Sequence, residues 1–124
     1  MDKIAIIINN KQSLEVADTL RKELDHVEIF SVGAYMGTTK IETIANFLEK
    51  DFNHYNAFVF IGALGICVRS IAPFIQNKQI DPAIINMDVK GQYVQSVLSG
   101  HKGGANHLAK TIANISGGTA LITT

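Results

Sequence analysis

The sequence predicts an α/β fold, a three-layer sandwich with a mostly parallel sheet plus one antiparallel hairpin, on three observations. Short continuous apolar runs, Ile4 to Ile8 and Ala57 to Ile61 foremost, have the pattern of strands buried on both faces, as in parallel sheets. Segments with apolar residues at helical spacing alternate with them, the order expected of crossover connections. Finally, the polar link "DVKG" between Ala83–Met87 and Gln92–Leu98 ends in glycine and predicts a hairpin, so at least one pair is antiparallel.

The elements follow in order. After the strand Ile4–Ile8, Ser13 is placed to cap a helix whose apolar stripe is Leu14, Ala17, Leu20 and Leu24. Val27 to Val32 reads as the second strand. In "TTKIETIANFLEKDF", Thr39 and Glu42 stand three apart as a capping box, which predicts a helix burying Ile41, Ile44, Ala45, Leu48 and Phe52. Ala57 to Ile61 is the third strand and runs into Gly62 and Gly65. A helix from about Ile66 to Ile75 follows; Pro73 should kink or end it, because its ring removes a donor and disfavours the helical region at Ala72. The last helix buries Ala105, Leu108, Ala109, Ile112 and Ala113 and stops at Gly117 and Gly118. Ala120 to Ile122 makes a final short strand. The chain then stops at Thr124 with no polar tail, which predicts one α/β domain over residues 1–124, the N-terminal piece of a longer protein.

Composition works by exclusion. With 124 residues and 47% hydrophobic content, the chain makes one domain with a real core. Eleven basic residues balance eleven acidic ones, which argues against a broad nucleic-acid or membrane surface and leaves room for a small anion site. A single cysteine, Cys67, excludes an internal disulfide and fits a reducing compartment, so the chain reads as cytoplasmic. The start "MDKIAIIINNK" reads as a strand rather than a signal peptide, and no stretch is long enough to span a bilayer.

Two loops concentrate the chemistry. In "SGHKGGAN" the glycines Gly100, Gly103 and Gly104 permit close approach of a ligand, and the following helix is expected to aim unpaired amides into the loop. Lys102 adds charge, Ser99 and Asn106 add neutral hydrogen-bonding groups, and His101 is suited to moving a proton near neutral pH. The plainer alternative is a tight turn with an exposed histidine. In "GALGICVRS", Gly62 and Gly65 form a strand-to-helix turn, and Arg69 either clamps a carboxylate through paired hydrogen bonds, pairs with Asp81 or Asp88, or sits free on the surface. Asp88 either meets substrate or starts the hairpin turn, and Asp81-Pro82 reads as a turn. Cys67 sits among apolar neighbours as a buried thiol. His101 and His107 lie six apart, unlike a zinc-binding pair, so no protein-bound metal is expected. Both loops are expected to converge on one edge of the sheet, with Arg69 and His101 sharing a single electropositive hollow.

The text "GALGICVRSIAPFIQNKQIDPAIINMDVKGQYVQSVLSGHKGGANHLAKTIA", closing with "LITT", resembles the N-terminal region of the CbiG family, the cobalt-precorrin-5A hydrolases of anaerobic cobalamin synthesis. The resemblance runs from about Phe60 to the end, and its specificity comes from four elements in order: GxxGIxVRxIAP, KxxDP, DxxG and SGHxGGAN. It implies hydrolysis of the lactone of a cobalt-containing tetrapyrrole with acetaldehyde release. It also implies that the cobalt arrives with the substrate and that the protein has no cofactor of its own. On that reading His101 activates water, Arg69 anchors an acid group, and Gly62, Gly65, Asp88, Ser99, Gly100, Lys102, Gly103, Gly104 and Asn106 contact substrate. The partners implied are the tetrapyrrole and the missing C-terminal portion of the same protein, with no nucleic acid and no membrane; a homo-oligomer stays open. A non-catalytic domain that binds an acidic tetrapyrrole or another small anion is the competing reading.

Overall fold

The computed structural model describes residues 2–124, among which one mixed sheet of seven strands organises the chain. The elements are β1 (Ile4–Ile8), α1 (Leu14–Glu23), β2 (Val27–Ser31), β3 (Thr39–Lys40), α2 (Ile44–Asp51), β4 (Ala57–Ile61), α3 (Leu64–Ile71), β5 (Ala83–Met87), β6 (Tyr93–Leu98), α4 (Ala105–Ser116) and β7 (Thr119–Leu121). Across the sheet they lie in the order β3-β2-β1-β4-β5-β6-β7. All neighbours are parallel except β5 and β6, so β6 and β7 run against the other five strands.

Alternation along the strands builds two cores, because successive side chains point to opposite faces. Ile4, Ile6 and Ile8 of β1, with Val59 and Ile85, pack against α1 and α4 through Leu20, Ala109 and Ile112. On the other face Ala5, Ile7, Phe58, Phe60 and Ile84 meet α2 and α3 through Phe47, Leu48, Cys67 and Ile71. The second core is aromatic: Phe30 and Phe47 stand 4.3 Å apart between ring centres, and Phe52 stacks on Phe58 at 5.7 Å.

The capping box did not form. Thr39 and Lys40 instead add to the edge of the sheet beside Phe30 and Ser31, and the Ile41 amide donates to the Ser31 carbonyl at 2.8 Å. The helix starts only at Ile44, capped by the Thr43 hydroxyl, which accepts from the Asn46 amide at 3.0 Å. That shift turns the buried stripe to Phe47, Leu48 and Phe52 and leaves Ala45 exposed. The local signal was overridden because the β-branched Thr39 and its neighbour Lys40 gained backbone partners at an open sheet edge. α3 begins two residues before the expected Ile66, and Pro73 falls in a 3-10 turn, Ala72–Phe74, that ends it.

Candidate functional site

The hairpin decides where the two chemistry-bearing loops go. Leu98 lies opposite Ile84 and Val94 opposite Met87, so β6 finishes where β4 and β5 begin. The loop after β6 therefore emerges at the amino edge of the parallel strands, and its contacts agree. Ser99 Oγ donates to the Asp81 carbonyl at 3.1 Å, and Lys102 Nζ donates to Gln79 Oε1 at 2.7 Å, both just before β5. Gly62, by contrast, continues from the carboxyl edge, where its amide donates to the Met87 carbonyl at 2.8 Å. The Arg69 side chain folds back along α3 towards that edge, with Nη1 3.6 Å from where a Cβ on Gly65 would lie. The expected convergence of Arg69 and His101 is thus overturned, since a strand entered through a hairpin delivers its exit to the opposite edge.

The amino edge holds the loop "SGHKGGAN" and a cleft of about 640 Å³ lined by Tyr55, Asn56, Gln76, Asp81, Lys102 and Gly103. A second cleft of about 410 Å³ shares Lys102 and adds Lys78, Gln79, His101 and Thr124. Much of the loop serves its own architecture. Ser99 is buried with φ at 61°, and a Cβ on Gly103 would stand 2.5 Å from the Ser99 Cβ. The amides of Gly104, Ala105 and Asn106 donate to the carbonyls of His101, Ser99 and Gly100. These three are not the free donors the sequence suggested: the chain turns so tightly that its own carbonyls reach the helix start first. Asn106 is likewise engaged, its Oδ1 accepting from Ser96 Oγ at 2.7 Å and its Nδ2 donating to Thr124 Oγ1 at 2.8 Å. Exposed towards the smaller cleft are His101, Lys102 and Lys78, two cations and an imidazole, while the larger cleft adds the Asp2 carboxylate to Lys102.

Several cleft residues were missed from the sequence. Tyr55, Asn56 and Gln76 come from connections distant in the chain, and nothing local marks them. Lys78 did carry a signal, as the first residue of the KxxDP element. Asp81 within that element is buried, and both its oxygens accept from the Gln76 amide, at 3.1 and 3.0 Å. It braces the turn, as expected.

At the carboxyl edge, β1 and β4 are neighbours whose chains leave in opposite directions along the sheet, the arrangement that opens a ligand crevice in α/β folds. Asn9, Gly62 (φ 143°), Ala63, Ile66 and Cys67 surround only about 10 Å³ there, roughly one water. Asp88 serves the hairpin, with its oxygens accepting from the Tyr93 amide at 2.7 Å and the Lys90 amide at 3.2 Å. Arg69 pairs with neither Asp81 nor Asp88 among the described residues and lies on the surface.

Burial pushes the Cys67 thiol from 9.0 up to about 12, so the sulfur is no nucleophile. An acid whose folded pKa is raised holds its proton longer folded than unfolded; stability is therefore full below 9.0 and falls as pH rises towards 12. Tyr55 moves the same way, from 10.0 to about 12, first through burial and then through the nearby Glu28 carboxylate. Urea midpoints should accordingly decline between pH 9.0 and 10.0 in the wild type and decline less steeply in Cys67→Ala. Equal slopes would show that the thiol does not ionise on unfolding.

Sheet order, helices on both faces and clefts at the strand ends define an α/β domain with a mostly parallel sheet. The family described as "Cobalamin synthesis G N-terminal" matches residues 46–124, and this chain belongs to it. A cobalt-precorrin-5A hydrolase from Salmonella typhimurium is 48% identical over 80 residues, 64% of this chain and 23% of the relative. One from Priestia megaterium is 33% identical over 117 residues, 88% of this chain and 31% of the relative. The crystal structure of a cobalamin biosynthesis protein G homolog from Sulfolobus solfataricus superposes with a TM-score of 0.78 at 26% identity, covering 98% of this chain and 36% of that one. The chain thus spans between 23% and 31% of the length of these two curated relatives. No helix among the described residues is long and apolar enough to cross a membrane.

Proposed function

We propose that this chain acts as the N-terminal domain of a cobalt-precorrin-5A hydrolase, working in the cytoplasm on a carboxylate-rich cobalt tetrapyrrole. One observation carries the reading: the SGHKGG loop of the family-matched region lines both clefts at the amino edge, with Lys102 in the larger and His101, Lys102 and Lys78 together in the smaller. Lys102, held over that cleft by Gln79, and the neighbouring Lys78 attract peripheral carboxylates. His101 takes a proton from water as its oxygen attacks the lactone carbonyl; the acyl–oxygen bond breaks to leave a carboxylate and an alkoxide, and collapse of the alkoxide breaks its carbon–carbon bond to the macrocycle, releasing acetaldehyde while the bonding pair passes to the macrocycle, which takes up the proton returned by His101. Because the loop amides of Gly104, Ala105 and Asn106 are internally bonded, the developing oxyanion is left with the Gly103 amide and Lys102 from this loop and draws further donors from the remainder of a longer chain. The same fact favours the second reading, a domain that grips the tetrapyrrole without turning it over by itself.

The test is a fluorescence titration of the chain with uroporphyrin and, separately, with inorganic phosphate, alongside an acetaldehyde assay. We expect uroporphyrin to bind and Lys102→Ala to weaken it, with no acetaldehyde from the isolated chain. A preference for phosphate would overturn the tetrapyrrole reading. Vigorous lactone opening by these residues alone would overturn the dependence on a second region.

A further inference from the structure

The two amino-edge clefts meet along a seam. The turn before β5 and the loop after β6 touch twice there, through Ser99 Oγ on the Asp81 carbonyl and through Lys102 Nζ on Gln79 Oε1. The first contact is buried and the second is exposed. Gln76, Ile80 and Asp81 belong to the larger cleft, Lys78 and Gln79 to the smaller, and Lys102 lines both. The turn is braced from within: the Ile80 and Asp81 amides donate to the Asn77 carbonyl at 3.2 and 3.0 Å, and the Gln79 amide donates to Asn77 Oδ1 at 2.8 Å. It forms a ridge between the clefts.

The two sides of the ridge differ in chemistry. The smaller cleft gathers Lys78, Lys102 and His101, without an acidic side chain among the described residues that line it. On the larger side the charged lining residues besides Lys102 are Asp2 and Asp81, and the rest is neutral, with Tyr55, Pro82 and Ile80 as its least polar parts. Lys3 sits over the Tyr55 ring, its Nζ 5.1 Å from the centre, and does not line the cleft. Ile80 is 58% exposed in a turn otherwise made of Asn77, Lys78, Gln79 and Asp81. An aliphatic side chain standing free in a polar cleft offers a contact to an apolar ligand surface.

We infer that the two clefts act as one groove, spanned by a single ligand across the ridge, and that Ile80 is its specificity-determining residue. The acidic rim of the ligand lies on the Lys78 side, beside His101, and the face of its ring rests on Ile80. The inference rests on the proposed tetrapyrrole reading and adds to it which way round the ligand sits. Charge supports that orientation, since Lys78 and Lys102 attract carboxylates on one side while Asp2 and Asp81 repel them on the other. Lys102 serves without leaving the seam: its ammonium carries three donors, and Gln79 occupies one. A small anion needs only the smaller cleft and never reaches Ile80, so this side chain separates a broad, ring-bearing acid from phosphate.

The test is an NMR titration of the isotope-labelled chain with uroporphyrin, repeated with Ile80→Ser and with Lys78→Ala. Both residues are exposed, so neither substitution threatens the fold. The ring current of a porphyrin moves protons over its face upfield. We expect the Ile80 methyl signals to move upfield, the amides of Tyr55 and His101 to shift in the same titration, and each variant to bind about tenfold more weakly, one for lost apolar contact and the other for a lost charged partner. Either variant at wild-type affinity, or shifts confined to one cleft, would overturn the spanning groove and leave tetrapyrrole binding, and with it the proposed function, standing. Absence of any uroporphyrin binding to the wild type would instead overturn the proposed function and take the inference with it.

Discussion

Gly118→Ala should cost about 3 kcal/mol of stability, a drop in melting temperature of about 12 °C for a domain of this size. A Cβ at this position would stand 2.2 Å from the Gly91 carbonyl oxygen and 2.7 Å from that of Gln92. Both obstacles are backbone, so no side chain can rotate away. Moving them disturbs the hairpin that reverses the chain into β6, where the Thr119 amide also donates to the Gln92 carbonyl at 2.8 Å. Gly104→Ala is the matched control. It sits at φ 86° with open space where a Cβ would go, so it bears only the left-handed backbone penalty, about 1 kcal/mol. Thermal unfolding of the two variants side by side decides the matter: if Gly118→Ala melts no lower than Gly104→Ala, the steric account is wrong.

For His101→Ala in a full-length hydrolase carrying this domain, turnover should fall by about 10²–10⁴-fold, the range of a lost general base. Tetrapyrrole affinity should stay close to wild type, because His101 is exposed at the rim of its cleft and braces no other element through a side-chain hydrogen bond among those described. Lys102→Ala should show the reverse pattern, a raised KM with kcat largely kept, as expected for a group that grips ground state and transition state alike. A histidine variant with full acetaldehyde release would remove His101 from the chemistry and leave the loop a purely binding element.

The identity of the two loops was legible in the sequence, whereas their placement on opposite edges was not. Gly100, Gly103 and Gly104 marked "SGHKGGAN" as a special turn, and each has a physical reason in the fold: contact with Asn106, contact with Ser99, and a left-handed backbone. The hairpin at "DVKG" was also readable, with Asp88 tying its turn. That hairpin reverses β6, and the reversal delivers His101 to the amino edge while Arg69 stays towards the carboxyl edge, so two loops that look alike in sequence do not share a site. Likewise Thr39 and Glu42 spell a helix start locally, and only the vacant edge beside β2 turns Thr39 into a strand.

By itself the sequence determined the alternation of strands and helices, the two cores and the family, because hydrophobic period, turn residues and motif order are properties of neighbours along the chain. Which groups share a site was decided only by tertiary structure. Tyr55, Gln76 and Lys102 line one cleft because strand order and strand direction bring the ends of β4, β5 and β6 together, and neither is encoded in any local window.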